Sequence, residues 1–447
     1  MISSRRNIIK IIIAVLAMAL FRKFYSPGSS GKVSSHHPGS NQPDPAYAGS
    51  APDGYSHIYY AQGKSPELNM QILLASMGGI EKFIGADDIV IVKPNAQWWN
   101  QGTTNTNALK AFIGAIVHQP GFRGEVIVAE NHQYDEPNSR GWTTELRNGD
   151  FNLNELIGYF KEQGVLNVTK YHWRPVKPLS RKSGLNLKDF SRIVEGPWQG
   201  DGYVYDPKLI YTSPLGRRCM LTYPIFTSSF SEKVIDFKNG VWENGAYSGQ
   251  PVKFINFTGI NHHGSYCGVT ASVKNYMGVV DMSCGSPRGN EGFFNVHHLG
   301  VRDLPRSYTR IIPRHIQGKL EPFWEKNYTH SYFHHTGGCL GAFMRMVRMA
   351  DLNIIAVHWA GYGSRTDTSL SGYPEAIVAS TDPVALDYWA AREILLPLTN
   401  SRRDGIKFAR LNDPDYLAGP FRKFLQACHE EKIGNLDSGK IRVHHSS

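Results

Sequence analysis

Short apolar runs alternate with amphipathic helical patterns along this chain, and this alternation restricts the fold more than any other feature of the sequence. Residues 89–92 and 126–129 are continuous apolar, β-branched runs, which are typical of strands buried on both faces. Between them, apolar residues recur at the spacing of one helix face: Leu109, Phe112, Ile113 and Ile116. A strand, a helix and a second strand in this order predict a parallel strand pair.

The same kind of pattern returns near the C-terminus. There, residues 340–349 and 384–396 predict helices, and residues 352–357 and 376–379 predict strands. Residues 170–330 are less regular and rich in glycine, proline, asparagine and aromatic residues, a composition that favours long loops forming lids or binding walls. We therefore predict an α/β fold with mixed, largely parallel sheets flanked by helices, and a long irregular Gly/aromatic-rich middle region.

The N-terminal residues have the pattern of an export signal. Arg5 and Arg6 follow a serine and precede two apolar residues and Lys10, and residues 11–21 are uninterrupted apolar. Eleven residues of helix span about 16 Å, which is short for a membrane core of about 30 Å. The paired arginines favour a twin-arginine signal over residues 1–24. An ordinary secretory signal or a short anchor is the alternative, and cleavage stays open.

This signal predicts a partner, a location and a domain plan. The chain would use the twin-arginine export machinery and be periplasmic or extracellular, contacting the membrane only through the N-terminal segment if that segment is uncleaved. Residues 25–54 contain many Ser, Gly, Pro and His residues and predict a flexible linker. Residues 55–447 would form the globular region, as one body or as two lobes (about 55–200 and 201–447).

Composition excludes several other classes of protein. With 447 residues, of which 41% are hydrophobic and 19% charged, the chain can form a large core without disulfide bonds. The net charge is +10, but half of that excess comes from five basic residues within residues 1–24. No basic amphipathic helix or aromatic–basic motif stands out, so we expect no nucleic-acid binding. The five cysteines are far apart, which argues against a zinc ribbon, c-type haem or a four-cysteine cluster.

Polar residues at the ends of the first two predicted strands form the first candidate site. Lys93 and Asn95 follow one strand and Glu130 follows the next. In open α/β sheets, ligands bind at the carboxyl ends of strands, so these side chains are expected at one edge. Lys93 could hold an anion, and Glu130 could form either a structural ion pair or an acid–base pair with it.

A second candidate site lies in the middle region. His262 and His263 precede a glycine-bracketed segment, 268–278, that contains Lys274 and Asn275. Histidine titrates near neutral pH, so His263 is a candidate for proton transfer. Lys274 supplies a cation and Asn275 an amide.

Weaker signals come from the C-terminal half. Asp382 fits the N-cap of a helix that begins at Pro383, and Asp387, about one turn later, could face the cleft or balance the helix dipole. His330 and His334 have a spacing that suits a metal only if the stretch is helical, and the glycines before residue 340 could cradle an anion. We assign no metal site, and the cofactor stays unknown.

Four of these segments resemble a bacterial and archaeal family known as domain of unknown function 362. They are residues 91–95, 128–130, 269–278 and 377–387, in the family's order. The resemblance implies an α/β fold and fits an export signal, but it implies no particular reaction. Some relatives carry a ferredoxin module, whose cysteines this sequence lacks. The pair His262-His263 stands where the family pattern implies a lysine and one histidine.

The leading hypothesis is an exported enzyme that acts on a small anionic compound. Lys93 and Lys274 would hold the anion, and Asn95 and Asn275 would orient it. His263 with Glu130 would transfer protons, and Asp382 and Asp387 would contribute to the binding site. The alternatives are a non-catalytic exported protein that binds a ligand or serves a redox partner, and a protein loaded with a metal or organometallic cofactor before export.

Overall fold

The computed structural model describes residues 48–131, 140–173, 192–214, 216–282, 292–299 and 334–446. The chain divides into two units, Met1–Pro45 and Ala46–Ser447, and all described residues belong to the second. The predicted export signal and most of the predicted linker lie outside the described residues. Within the described part of the chain, no helix is long and apolar enough to cross a membrane.

Eighteen strands are described. They are β1 (Ser56–Gln62), β2 (Ile89–Lys93), β3 (Glu125–Glu130), β4 (Val168–His172), β5 (Ile193–Val194), β6 (Gly202–Val204), β7 (Ile210–Thr212), β8 (Arg218–Met220), β9 (Tyr223–Thr227), β10 (Val234–Asp236), β11 (Gly240–Glu243), β12 (Ala246–Tyr247), β13 (Val252–Thr258), β14 (Asn261–Gly264), β15 (Gly268–Thr270), β16 (Leu352–Val357), β17 (Ala376–Ser380) and β18 (Ile441–Ser446).

The described α-helices are α1 (Pro66–Ser76), α2 (Thr106–Val117), α3 (Leu153–Glu162), α4 (Ser272–Asn275), α5 (His335–Met346), α6 (Pro383–Ala390), α7 (Leu396–Asn400), α8 (Ile406–Asn412) and α9 (Pro420–Glu430). A π-helical turn, Ala391–Leu395, joins α6 to α7, so the helix predicted over residues 384–396 is real but interrupted. The helix predicted over residues 340–349 begins five residues earlier, at His335.

A mixed eight-stranded sheet forms the centre of the fold, in the order β18-β1-β17-β16-β13-β2-β3-β4. The run from β16 to β4 is parallel throughout, and the β2–β3 pair confirms the predicted parallel strand–helix–strand unit. Strand β17 is antiparallel to both of its neighbours. The sheet takes strands from both sides of residue 200, so the two lobes considered from the sequence would share it.

Helices cover both faces of this sheet, which explains why residues 89–92 of β2 are apolar at every position. Ile89 and Ile91 of β2 face one core, and Val90 and Val92 face the other. The second core is closed by α1, α2 and α3, and the predicted apolar face of α2 is fully buried in it. Helices α5, α6 and α9 pack in the first core. Burial on both faces is the usual reason for such continuous apolar strands.

The middle region holds a second sheet that the irregular sequence pattern did not reveal. Its six strands run in the order β12-β11-β10-β9-β6-β5, and every pair except β5–β6 is antiparallel. These strands are two to five residues long, too short to show a clear alternation. Aromatic contacts tie this sheet to the first core, including Tyr171 with Phe226 and Phe237 with Phe254.

Candidate functional site

Lys93 is the last residue of β2 and its side chain is fully buried. Its Nζ donates three hydrogen bonds, to the carbonyl oxygen of Pro94 (2.8 Å), to Oε1 of Glu130 (3.1 Å) and to Oδ1 of Asn275 (2.8 Å). An ammonium group has three hydrogens, so all of its donors are used within the protein. Burial lowers the pKa of Lys93, and the Glu130 carboxylate opposes that shift.

Glu130 ends the neighbouring strand β3 and pairs with Lys93 in the interior. One carboxylate oxygen contacts Lys93, and the other accepts a hydrogen bond from the backbone N–H of Ala96. Burial raises the pKa of Glu130, while the Lys93 ammonium and the Ala96 N–H hold it down. The sequence left open whether this pair is structural or acid–base. In the structure, the hydrogens of the Lys93 ammonium and both oxygens of the Glu130 carboxylate are engaged by groups of the protein itself.

The close approach of this pair depends on Gly278. A Cβ added at that position would lie 2.4 Å from Nζ of Lys93 and 2.7 Å from Oε1 of Glu130, well inside van der Waals contact. The backbone carbonyl of Gly278 also accepts a hydrogen bond from the N–H of Asn131, which follows β3. A side chain at residue 278 would therefore push the segment after α4 away from the strand ends.

A row of polar residues crosses the central sheet beside Lys93. Asn256 of β13 is in register with Lys93, and Asn353 of β16 is in register with Asn256. The amide of Asn256 donates to Oδ1 of Asn353 and to the hydroxyl of Ser272, and its own oxygen accepts from Asn275. This network joins three strands to α4. The sequence analysis missed Asn256 and Asn353, although each is a lone amide in an otherwise apolar strand.

Asp387 of α6 holds the start of α4. Its two carboxylate oxygens accept the backbone N–H groups of Ser272 (2.7 Å) and Val273 (2.8 Å). Burial raises the pKa of Asp387 to about 8, and these hydrogen bonds oppose the shift. Because α4 has only four residues, this carboxylate fixes the position of Lys274 and Asn275, which follow directly.

Asp382 lies at the N-terminus of α6, as the capping interpretation predicted. Its Oδ1 accepts from the backbone N–H of Val384 and Ala385, both at 2.9 Å, and its Oδ2 accepts from Ser56 and from the N–H of Asn435. The residue is fully buried. Four donors satisfy the carboxylate, and each of them belongs to the protein.

Lys274 differs from Lys93 in its partners. It is 8% exposed, yet no hydrogen bond or ion pair to its ammonium is found among the described residues. Burial lowers its pKa to about 8, and the charges of Arg365 and Lys93 add to that effect. The thiol of Cys267 opposes the shift only when ionised, and burial raises the pKa of that thiol to about 12. Lys274 is thus a nearly buried cation in a positively charged environment.

His263 lies in β14, in the hairpin that precedes α4, and is half-buried. Its Nδ1 is 3.1 Å from Nη1 of Arg365 and 2.6 Å from the hydroxyl of Thr270. A guanidinium group can only donate, so Nδ1 accepts and the neutral ring carries its hydrogen on Nε2. Burial lowers the pKa of His263 well below its usual range, and among nearby charges Lys274 has the largest further effect.

Arg365 and Trp98 complete the group, and the sequence analysis did not single them out. The Arg365 guanidinium lies 4.6 Å from the centre of the Trp98 ring, a cation–π contact that also orients the plane of the guanidinium. Arg365 follows the glycine-containing segment 361–364, beyond the carboxyl end of β16. That position after a strand was the signal that could have identified it.

The structure therefore divides the predicted site residues into two groups. Lys93, Glu130 and Asn275 are brought together in one buried network. His263 contacts Arg365, and the charges of Lys274 and Arg365 both lower its pKa. No contact between His263 and Glu130 is found among the described residues. Asn95 is 5% exposed, and its Oδ1 accepts from the N–H of Gln97 at 3.3 Å. Asp382 and Asp387 hold helix termini.

The remaining sequence signals have structural explanations or lie outside the described residues. Gly337 and Gly338 are inside α5, where an added Cβ would lie 2.0 Å from the carbonyl oxygen of Phe424 and 2.4 Å from the hydroxyl of Tyr211, respectively. His330 is not among the described residues. Within the part of the chain that is described, no group of three or more His, Cys, Asp or Glu side chains could hold a metal ion.

Comparison with known proteins gives one finding. No curated protein and no solved structure matches the chain. Residues 252–392, from β13 to the π-helical turn after α6, match the model of a protein family. They include α4 with Lys274 and Asn275, and Asp387, which holds α4 in place. The matching family is described as Domain of unknown function (DUF362), the family that the sequence motifs resemble.

Proposed function

We propose that the chain binds a small anionic compound at the group formed by Lys274, His263 and Arg365, and that it is an enzyme acting on this compound. The observation that carries the proposal is the ammonium of Lys274, for which no hydrogen bond or ion pair is found among the described residues. A buried lysine is costly unless a negative partner compensates it, and no carboxylate is among the charges that shift the pKa of Lys274. A bound anion would supply the missing partner.

The three side chains offer complementary interactions. Lys274 provides a compact positive charge, and Arg365 provides a planar guanidinium suited to a carboxylate or phosphate. Neutral His263 presents its Nε2–H as a further donor. The buried network of Lys93, Glu130 and Asn275 would act on the site indirectly, because its hydrogen bonds hold α4 in position and do not contact a ligand.

Proton transfer through His263 is the enzymatic part of the proposal. Positive neighbours lower its pKa, so an anion bound beside Lys274 would raise the pKa back towards neutrality. The hydroxyl of Thr270, 2.6 Å from Nδ1, could then accept the hydrogen of the protonated ring. Binding of the anion would thus prepare His263 as a proton donor.

The test is titration of the purified chain with small carboxylates and inorganic phosphate, followed by calorimetry. We expect saturable binding by the wild type, a loss of at least ten-fold in affinity for K274M, and no change for K161M, in which an exposed lysine of α3 is replaced. Absence of binding to the wild type, or equal binding by K274M and the wild type, would refute the proposal.

A non-catalytic binding protein is the second candidate, and one observation favours it. Both oxygens of Glu130 and the Nδ1 lone pair of His263 are already engaged, so neither of these two predicted proton carriers is a free base. A ligand recovered chemically unchanged after prolonged incubation with the folded protein would support this candidate. Conversion of the ligand by the wild type but not by an H263N variant would support the enzyme.

We also propose that the protein is exported, on the basis of Arg5 and Arg6 and the apolar run after them. A fusion of residues 1–54 to a reporter that folds before export should reach the periplasm. The same fusion with R5K and R6K together should stay in the cytoplasm. Export of both fusions alike would leave the twin-arginine interpretation without support.

A further inference from the structure

We propose that Lys274 is a nucleophile that forms an imine with the carbonyl group of a small 2-oxo acid. This inference rests on the proposed function, because the acid group would occupy the same anion site. It names both the substrate class and the bond that the protein forms with it.

The first argument is the contrast between two lysines that lie close together in the fold. Lys93 is held by three acceptors, so its nitrogen has no position left for a ligand. Lys274 has the same chemistry and nearly the same burial, but no acceptor among the described residues engages its nitrogen. Within the described part of the chain, the nitrogen of Lys274 is therefore nearly buried and has no hydrogen-bond partner that would compete with a reacting group.

The second argument is the state of the amine. Only a neutral amine attacks a carbonyl carbon, and burial beside other cations brings Lys274 close to neutrality. At pH 7.4, a lysine with a pKa near 8 is neutral about 200-fold more often than a solvent-exposed lysine. Desolvation next to a second cationic group is an established way of activating a lysine for this chemistry.

The third argument is what surrounds the nitrogen. A 2-oxo acid carries a carboxylate next to its carbonyl group, so one molecule can contact a cation with the first and an amine with the second. Arg365, with its plane set by Trp98, suits the carboxylate. Among the charges that lower the pKa of His263, that of Lys274 has the largest effect, and this histidine suits proton transfer to the carbonyl oxygen.

The step balances with these groups. The lone pair of the neutral Lys274 amine forms a C–N bond to the carbonyl carbon, and the π electrons of the C=O bond move to oxygen, which takes up a proton. The nitrogen gives up one proton, and the C–O bond then breaks as a second proton joins the oxygen and the nitrogen lone pair forms the C=N bond. The nitrogen finally gives up its remaining hydrogen as a proton, which leaves the neutral imine. Overall, the amine loses two hydrogens, the carbonyl group loses its oxygen, and one water leaves. His263 is the carrier for these protons.

The experiment is reductive trapping on the full chain. The wild type is incubated with pyruvate, glyoxylate or 2-oxoglutarate, treated with sodium borohydride, digested and analysed by mass spectrometry. We expect a reduced adduct on the peptide that contains Lys274, with labelling about 200-fold above that of the exposed Lys161. K274M should show none at this position, and K274R should still bind the acid without forming an adduct.

The outcomes separate this inference from the proposed function. Calorimetric binding of these acids without any adduct on Lys274 would overturn the imine and leave the anion site intact. Neither binding nor adduct for any of the acids would overturn both. A folded K274R protein, judged by its circular dichroism and its thermal transition, ensures that a lost adduct reflects the missing amine and not an unfolded chain.

Discussion

Replacing either of the two buried lysines by methionine should shift stability in opposite directions. In K93M, the Glu130 carboxylate stays buried without its cation, and Asn275 and the Pro94 carbonyl lose a donor. Removing one partner of a buried ion pair typically costs about 3–5 kcal/mol. In K274M no hydrogen bond is lost, since none engages the ammonium within the described residues.

The gain expected for K274M follows from its pKa. A group with a lower pKa in the folded than in the unfolded state binds fewer protons when folded, so it destabilises the protein below the folded pKa. With a pKa lowered from 10.5 to about 8, the Lys274 ammonium costs about 3 kcal/mol at neutral pH. That cost disappears as the pH rises from about 8 to 10.5, so the advantage of K274M should disappear over the same range.

Urea unfolding of the wild type, K93M and K274M, without added anions, measures these differences. The free energy of unfolding at pH 7 should fall for K93M and rise for K274M, and the double variant of K93M with E130M should recover much of the loss. An equal loss of stability in both single variants would mean that Lys274 has a partner within the fold. The reasoning that makes it the ligand-binding lysine would then be wrong.

Three other predictions follow from the same contacts. G278A should lower the thermal transition by several degrees, because the new methyl group collides with Lys93, whereas the control G158A, where an added Cβ meets no atom within 4 Å, should not lower it. D382A should cost about 2–4 kcal/mol in urea unfolding through loss of the helix cap, with unchanged anion affinity in calorimetry, and weaker anion binding would instead place Asp382 in the site. The anion affinity of the wild type should fall as the pH rises through about 8, where Lys274 loses its charge. The K274R variant should retain its affinity to higher pH, and identical pH profiles for the wild type and K274R would contradict this.

The sequence predicted well those parts of the fold that depend on one local pattern. Strand β2 and helix α2 each bury a regular set of positions, so periodicity identified them within a few residues. The helix cap at Asp382 was equally local. The strands of the second sheet were missed because two to five residues carry too little periodicity, and the contacts that stabilise them come from distant aromatic side chains.

The candidate site was predicted in its residue types but not in its pairings. Lys93 and Lys274 looked equivalent in sequence, and only the fold shows that Asn275, 182 residues further along the chain than Lys93, takes the last hydrogen of Lys93. Arg365 was missed because its contact with His263 spans 102 residues. Single amides within apolar strands, such as Asn256, are visible in the sequence and would have indicated a polar row across the sheet.

The place of β13 in the central sheet has a practical consequence for work on this family. The segment that matches the family model begins with β13, whose parallel partner β2 lies more than 150 residues earlier in the chain. A fragment cut to residues 252–392 would leave one edge of β13 with unpaired backbone groups and expose the apolar residues that β2 covers. It would also remove Lys93 and Glu130, which hold α4 from below. The family segment is therefore a unit of sequence relatedness and not an independently folding body, and a truncated fragment should aggregate where the full chain stays in solution.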